Sequence, residues 1–459
     1  MVDISPHQEI VELRSQLEAE QTAHERTKTE LALTEVAYRQ FVPMQFMTLM
    51  GANSILHARL GQHTEQVLTV LFSDIRDFTT LSESMTPDDN FRFLNSYMSV
   101  MEPVIAHFGG FIDKFMGDGF MALFSGSSND ALRAATGMLM RLEIYNQGRH
   151  RANYFPLRIG MGINTGITML GTVGGENRMD STAIGDTVNL ASRLEASTKV
   201  YGVPLLISEH TFYGLENASN YSIRLIDRIR VKGKAYPQSV HEVFDADPAE
   251  LRAAKKSVLP IFGEAVACYH LRDVTRAQLL FQQCHAAAPQ DSVVELYLKR
   301  CKQYFLNGMH EGTGELDLMP AWSEEFSIGI PEIDAQHKAM LAKMHQLSDS
   351  FKHGKQLDVQ ESLDFLAQYV VQNFQLEERL MQESKYPFSA QHMHEHTTFV
   401  KYLAKLREEI ETAEPHSSYV IFRIQILLVD WLINHTTKTD RHLGHFLRNP
   451  NLSTLEPGF

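Results

Sequence analysis

A chain of 459 residues exceeds what one ordinary hydrophobic core serves, so two or three domains are expected. With 44% hydrophobic and 21% charged residues the composition is globular, and a formal charge of −14 excludes an extended nucleic-acid surface, which needs a basic stripe. The longest apolar stretch, YVIFRIQILLVDWLI, is broken by Arg423 and Asp430 and is too short to cross a bilayer; the first residues form no apolar signal core. Cys268, Cys284 and Cys301 are spaced too widely for a zinc ribbon. The expected setting is a reducing cytoplasm, away from membranes.

Residues 8–40 are charged and free of glycine. Ile10, Leu13, Leu17, His24, Leu31, Tyr38 and Phe41 fall on approximate a and d positions, interrupted by Glu20, Thr27 and Thr34, which predicts a short parallel coiled coil or, failing that, one amphipathic helix. From 62 to 245, strand-length apolar runs such as VLTVLF, PLRIGMGI and VPLLIS alternate with helical stretches and glycine turns, the pattern of an α/β domain. Asp74 closes the strand VLTVLFSDI, and Asp118 occupies the tight turn between GFIDKF and FMALF. Two carboxylates on neighbouring strand ends suit a pair of hard divalent cations; the plainer reading is two turn-capping aspartates.

STAIGDTVNLASRLEAST is expected as a loop entering a helix, with Asn189 and Arg193 four apart on one face. An amide and a guanidinium there suit a ribose and a phosphoryl group, although such a pair alone is usually a solvated face. Lys232 and Lys234 flank a glycine in IRVKGKAYP, placed to neutralise a polyphosphate or simply to make a basic hairpin. GTVGGE at 171–176 lacks the Lys-Ser/Thr of a phosphate loop and is expected to be a hairpin turn. Residues 248–311 are helical and resemble a single tetratricopeptide-like pair, too little for a superhelix and so a spacer or docking piece. Long helices follow from PAWSEEFSIGIPEIDAQHK onward, and 11 of the 21 histidines lie in the last third of the chain, an enrichment that needs its own cause.

LFSDIRDFTTLSE, GGFIDKFMGDGFMALF, IGDTVNLASRLE and VKGK stand in the order and spacing of the class III nucleotide cyclase catalytic domain, and residues 62–245 resemble that family. FVPMQFMTLMGANSILHARLGQ is similar to the transducing helix and linker that enter the domain in many bacterial members. The resemblance implies a ferredoxin-like core and two Mg2+ or Mn2+ per active site, held by Asp74, Asp118 and the backbone carbonyl of Ile75. It implies that Asn189 orients the ribose, Arg193 stabilises the transition-state phosphoryl group, and Lys232 with Lys234 binds the β- and γ-phosphates. Lys114 and Thr182 occupy the purine-selecting positions, where lysine suits the N1 acceptor of adenine and threonine accepts from the 6-amino group, so ATP is the expected substrate and 3′,5′-cyclic AMP the product. Active sites of the family form across a dimer, and this chain holds both complementary sets, so a homodimer with two sites is expected.

The last third resembles hemerythrin over roughly residues 320–450: His337, Glu377, His392, His396, His435 and Asp440 stand in that family's ligand order. The resemblance implies a four-helix bundle around a di-iron centre; the expectation built on it is a module that senses redox state, iron or a diatomic such as O2 and adjusts cyclase output, the plainer reading being a bundle kept only for folding or dimer contacts. One position departs. Where the family has histidine four residues before the bridging glutamate, this chain has Asn373, so the second iron is expected to be weakly held, absent or replaced, and reversible oxygen storage is not expected.

The expected organisation is therefore multidomain: coiled coil and linker (1–61), cyclase domain (62–245), helical spacer (246–318) and hemerythrin-like bundle (319–459). The rival expectation is a degenerate cyclase module serving dimerisation, with iron or oxygen binding by the bundle as the working part. Intact Asp74, Asp118, Lys114, Thr182, Asn189 and Arg193 argue against it.

Overall fold

The computed structural model describes residues 6–39, 41–51, 59–175, 178–230, 237–307, 322–352, 359–411, 418–420, 422–424, 426, 431 and 435–448. Lys232 and Lys234, and the expected boundary at 318, lie outside these residues. α1 (Pro6–Arg39) is a single long helix whose seam residues Leu17 and Leu31 are 54% and 67% exposed. α2 (Met44–Leu49), assigned by sequence to the linker, instead packs on the sheet: Phe46 and Met50 share a core with Leu68, Val70, Phe72, Met121 and Leu170.

The sheet opens with β1 (His63–Ile75), whose burial alternates at first and becomes continuous from Leu68, because both its faces are then covered. α3 (Phe78–Glu83) and α4 (Pro87–His107) follow; Thr86 caps α4 by accepting from the Asp89 amide, with Pro87 in its first turn. β2 (Gly110–Met116) and β3 (Gly119–Phe124) form a hairpin, and a Ser127/Asp130 capping box starts α5 (Ser128–Arg151). β4 (Ile159–Gly175), β5 (Arg178–Ile184), α6 (Asp186–Tyr201), β6 (Leu205–Ser208), α7 (Glu209–Gly214), β7 (Ile223–Arg230) and β8 (Pro237–Val243) complete the domain.

The strand order is β2-β3-β1-β4-β6-β8-β7, with β5 paired to β4. Its first four strands make the β-α-β-β-α-β unit of ferredoxin-like folds, as expected. α4 and α5 cover the face presenting Leu71, Phe120, Ala122 and Ile163; α2 and Ala191 of α6 meet the opposite face. Residues 171–175 are strand rather than turn, and they run into the β4–β5 hairpin.

Residues 249–307 depart from the single helical pair expected. They form four helices, α8 (Ala249–Ser257), α9 (Leu259–His270), α10 (Val274–Ala287) and α11 (Ser292–Asn307). Phe262, Val266, Tyr269, Phe281 and Tyr297 of these helices share one core with Leu190 and Leu194 of α6, Leu206 of β6, Ile226 of β7 and Val240 of β8. Buried charge crosses the same boundary: Arg224 pairs with Glu242 and Asp291 at 2.6 Å each, and Asp227 accepts from Tyr201 and Arg300 at 2.6 Å. Desolvation would raise the Asp227 carboxyl, yet Arg300, His270 and Tyr201 hold it well below the usual carboxylate range. The segment packs as an extension of the α/β fold rather than as a free spacer.

The C-terminal region contains α12 (Pro331–Lys352), α13 (Val359–Ser384) and α14 (Ser389–Glu411), helical residues at 418–420, 422–424, 426 and 431, a π-helical turn at His435–Asp440, and a last helix at Arg441–Arg448. Its core of Leu341, Leu366, Phe374, Phe399, Leu406 and Ile424 also takes in Tyr213 of α7, which stacks on Tyr402 with ring centroids 4.3 Å apart. Arg423, fully buried, donates from Nη1 to Glu209 Oε1 (3.1 Å) and from Nη2 to the Tyr213 hydroxyl (2.9 Å). Phe422 and Ile426 enter the core shared by α6 and α9–α11. Among the described residues no helix is long and apolar enough to cross a membrane.

Candidate active site and metal centre

The carboxylate pair is made by strand register. Met116 pairs with Gly119, so Gly117 and Asp118 alone form the β2–β3 turn, and Gly117 has the positive φ (68°) such a turn demands. β3 lies against β1 with Phe120 opposite Ser73, which brings Asp118 beside Asp74. Gly119 permits this approach: a Cβ there would sit 2.7 Å from the Ser73 carbonyl oxygen and 2.9 Å from Asp74 Oδ1. Burial first, and then the Asp74 charge, push the Asp118 carboxyl up to about 6. A divalent cation would relieve the raised Asp118 carboxyl, and the oxygens of the two aspartates, with the Ile75 carbonyl at the strand end, are hard donors suited to Mg2+ or Mn2+.

A third carboxylate, not singled out by sequence, belongs to this region. Arg76 reaches across to Glu195, with Nη1 3.3 Å from Oε1 and Nη2 3.3 Å from the Glu195 carbonyl oxygen. Burial lifts the Glu195 carboxyl to about 7 against the pull of Arg76, and Asp74 and Asp118 add to the rise. Its signal in the sequence was slight, one acid among several polar residues of a helix.

Lys114 and Thr182, 68 positions apart, meet directly: Lys114 Nζ donates to Thr182 Oγ1 at 2.6 Å. Thr182 lies on a strand rather than in the expected loop, because Arg178–Ile184 pairs with β4, with Gly171 opposite Thr182. A short β-rich run ending at Gly185 (φ 134°) gives strand, then a sharp turn, then helix. α6 then packs flush on β4, since a Cβ at Gly162 would fall 2.1 Å from the Glu195 amide nitrogen. Asn164 Nδ2 donates to the Thr187 carbonyl (3.0 Å), fixing the first turn of the helix. Asn189 is exposed; Arg193 is half-buried, with Nη1 buried and without a hydrogen bond. No hydrogen bond or ion pair among the described residues joins either one to Asp74 or Asp118.

The bundle gathers the expected histidines and carboxylates into one buried nest. Ligand-type atoms of Glu377, His392, His396 and His435 lie within 4.8 Å of one another, and so do those of His337, Glu377 and Asp440. His396 Nε2 is 3.0 Å from Glu377 Oε2 and 3.1 Å from His435 Nε2; His392 Nε2 is 3.2 Å from both Glu377 Oε2 and Asp440 Oδ1. The π-helical turn widens the helix so that His435 and Asp440, five apart, meet at 3.0 Å.

Burial and the Asp440 charge would raise the Glu377 carboxyl, yet contacts from His392, His396 and His435 hold it well below the usual range. His435 is disfavoured as a cation by burial, but Asp440, Glu377 and Glu395 hold it well above its ordinary value. Glu377 Oε1, His337 Nε2 and both Asp440 oxygens are buried without a well-formed hydrogen bond. Such orphaned donors, all nitrogen or carboxylate oxygen, fit iron. Outer carboxylates orient two rings: Glu395 lies 2.9 Å from His435 Nδ1, and Glu378 lies 3.1 Å from His396 Nδ1.

Asn373 is buried beside this nest and donates from Nδ2 to Gln336 Oε1 at 2.9 Å. One half of the centre therefore has three imidazoles and two carboxylates. The other has His337 and the shared carboxylates Glu377 and Asp440. Gln336, Glu378 and Glu395 were not anticipated from sequence.

Two constellations of different chemistry, one of paired aspartates on an α/β hairpin and one of imidazoles in a helical bundle, define a two-part protein. Residues 61–244 match the family described as adenylate and guanylate cyclase catalytic domain, and residues 328–447 match the hemerythrin HHE cation binding domain; through this second part the chain belongs to the hemerythrin family. It is 40% identical over 220 residues to the adenylate cyclase of Anabaena cylindrica, covering 47% of this chain and 44% of that protein. It is 37% identical over 275 residues to the terminal-differentiation specific adenylate cyclase of Dictyostelium discoideum, covering 59% of this chain and 13% of that one. Its C-terminal part is 32% identical over 127 residues to a bacteriohemerythrin of Methylococcus capsulatus, covering 28% of this chain and 95% of the relative. The chain thus spans less than half the length of each of these two cyclases.

Proposed function

We propose that this chain is an adenylate cyclase that converts ATP to 3′,5′-cyclic AMP and pyrophosphate as a homodimer, and that its hemerythrin domain regulates the output. The observation that carries the adenine assignment is the Lys114–Thr182 hydrogen bond of 2.6 Å, a donor and an acceptor set side by side as the N1 and 6-amino edge of adenine requires. Asp74, Asp118 and the Ile75 carbonyl would hold two Mg2+ or Mn2+, which supply charge neutralisation and a more acidic ribose 3′-hydroxyl when bound. Asn189 orients the ribose, and Arg193 meets the negative charge developing on the α-phosphoryl group. Lys232 and Lys234 bind the β- and γ-phosphates. No hydrogen bond joins the Asn189/Arg193 set to the aspartates within one chain, in keeping with sites assembled between two chains, for which exposed α1 would supply the pairing helix.

In the bundle, His337, Glu377, His392, His396, His435 and Asp440 would hold iron, which supplies redox chemistry and affinity for diatomics such as O2. Asn373, tied to Gln336, weakens one half of that centre. The packing of Tyr213, Phe422 and Arg423 between the two parts gives any change in the bundle a physical contact with the catalytic fold.

The test is cyclic AMP production from Mg-ATP or Mn-ATP by iron-loaded full chain, reduced without oxygen against oxidised in air, with GTP in parallel. A rate that differs between the two states, with ATP preferred, supports the proposal. Faster turnover of GTP removes the adenine reading, and ATP binding without pyrophosphate release removes the cyclase reading. Equal rates in both states remove the regulatory one.

A further inference from the structure

The purine-reading pair has a buried neighbour. In the β2–β3 ladder Ile112 pairs with Ala122 and Lys114 with Met121, so Asp113 is an extra residue, a β-bulge. The side chain of Asp113 is wholly buried, while that of Lys114 keeps 30% of its exposure. Neither Asp113 oxygen has a well-formed hydrogen bond, and Oδ2 lies 3.3 Å from Lys114 Nζ. Burial pushes this carboxyl up to about 6, countered by Lys114 and reinforced by Asp180 of β5. A carboxylate with no exposure is costly unless a cation compensates it, and the cation beside this one is Lys114.

The donor count of Lys114 gives the arrangement its meaning. An ammonium has three N–H donors: Thr182 Oγ1 takes one, Asp113 faces a second, and a third remains. Thr182, accepting from Lys114 and donating towards the Ala183 carbonyl (3.4 Å), keeps one lone pair for an incoming amine.

We infer that Asp113 is a positioning residue for base selection: its buried carboxylate and the Thr182 hydroxyl hold Lys114 Nζ between them, so that one fixed donor meets the purine. The inference rests on the adenylate cyclase reading given above. A tethered ammonium cannot swing aside for the N1–H of guanine, and a donor facing a donor is rejected strongly. Without the tether Lys114 can move away, and discrimination falls.

The experiment compares kcat and KM for ATP and GTP in the full-length wild type, Asp113→Asn and Asp113→Glu, each checked for fold by circular dichroism. Asp113→Asn keeps the shape and removes the charge. It is expected to raise KM for ATP more than it lowers kcat, and to move the ATP:GTP ratio of kcat/KM about tenfold towards GTP, with Asp113→Glu recovering part of the preference. In a Lys114→Met background Asp113→Asn should leave the ratio unchanged, because the residue it positions is gone. An unaltered ratio in folded Asp113→Asn, or equal losses on both nucleotides through kcat alone, overturns the inference; if Asp113→Asn does not fold, Asp113→Ser, which also removes the charge, decides in the same way. Should the wild type make no cyclic nucleotide, the cyclase reading fails by itself. Competition between ATP and GTP for Mn2+-loaded protein then judges Asp113, with an unchanged binding ratio counting against it.

Discussion

Replacing Arg423 by methionine tests whether the two parts of the chain are welded together. Methionine retains the apolar stem and removes the guanidinium, which donates to Glu209 at 3.1 Å and to the Tyr213 hydroxyl at 2.9 Å. Glu209 is left buried, with His241 Nε2 at 3.4 Å as a neighbouring partner. Breaking a buried ion pair on one side costs about 3–5 kcal/mol, and the surviving His241 contact argues for the lower end, about 3 kcal/mol. Both tryptophans of the chain, Trp322 and Trp431, lie in the C-terminal part, so their fluorescence in urea follows the bundle while cyclase activity in the same samples follows the other part. For an m value of about 3 kcal/mol/M the loss appears as a midpoint lowered by about 1 M. Glu209→Gln on the same background should recover part of it, because no uncompensated charge then stays buried. A loss below about 1 kcal/mol, or strictly additive single changes, would refute the weld.

Three further outcomes concern the two proposed metal centres. Gly119→Ala places a Cβ 2.7 Å from the Ser73 carbonyl and 2.9 Å from Asp74 Oδ1, so it should weaken Mn2+ binding by calorimetry at least about tenfold while the fold survives; wild-type affinity would contradict the geometry. The raised Asp118 carboxyl, at about 6, takes up its proton as the pH falls through 6, and metal must displace that proton. Half-saturating Mn2+ should accordingly rise about tenfold per unit below pH 6 and level off well above it, a profile that titration calorimetry would show or deny. Asn373→His places an imidazole beside Gln336, four residues before Glu377, and on the proposed reading should increase bound iron per chain and oxo-bridge absorption; unchanged iron would mean that Asn373 does not limit the centre.

Local signals carried much of this molecule. The Gly-Asp-Gly turn, the apolar strand ending in Asp74 and the i,i+4 pair of His392 and His396 each state their geometry in a few residues, and the fold places them as read. Thr182 was legible only through resemblance, because its strand is short and its partner Lys114 lies in another hairpin. Asp113 was hidden by the bulge, since an extra residue breaks the two-residue period that tells inside from outside. The docking of α8–α11 was hidden for another reason: Arg224, Asp227 and Glu242 look like solvent-facing charges until Asp291, Arg300 and Lys255 arrive from far downstream. The meeting of His435 with Asp440 depends on a π-helical turn, which ordinary helical spacing does not suggest.

That shared packing of α6, β7 and β8 with α9–α11 has a consequence for how the chain is made. On the ribosome, β8 emerges before the helices that cover it, and Ile226, Val240 and the charges of Arg224 and Asp227 stay bare until some 60 more residues follow, roughly 3–12 s at 5–20 residues per second. During that interval the catalytic domain is an unfinished, aggregation-prone intermediate, and a gene cut after residue 245 would make the interval permanent.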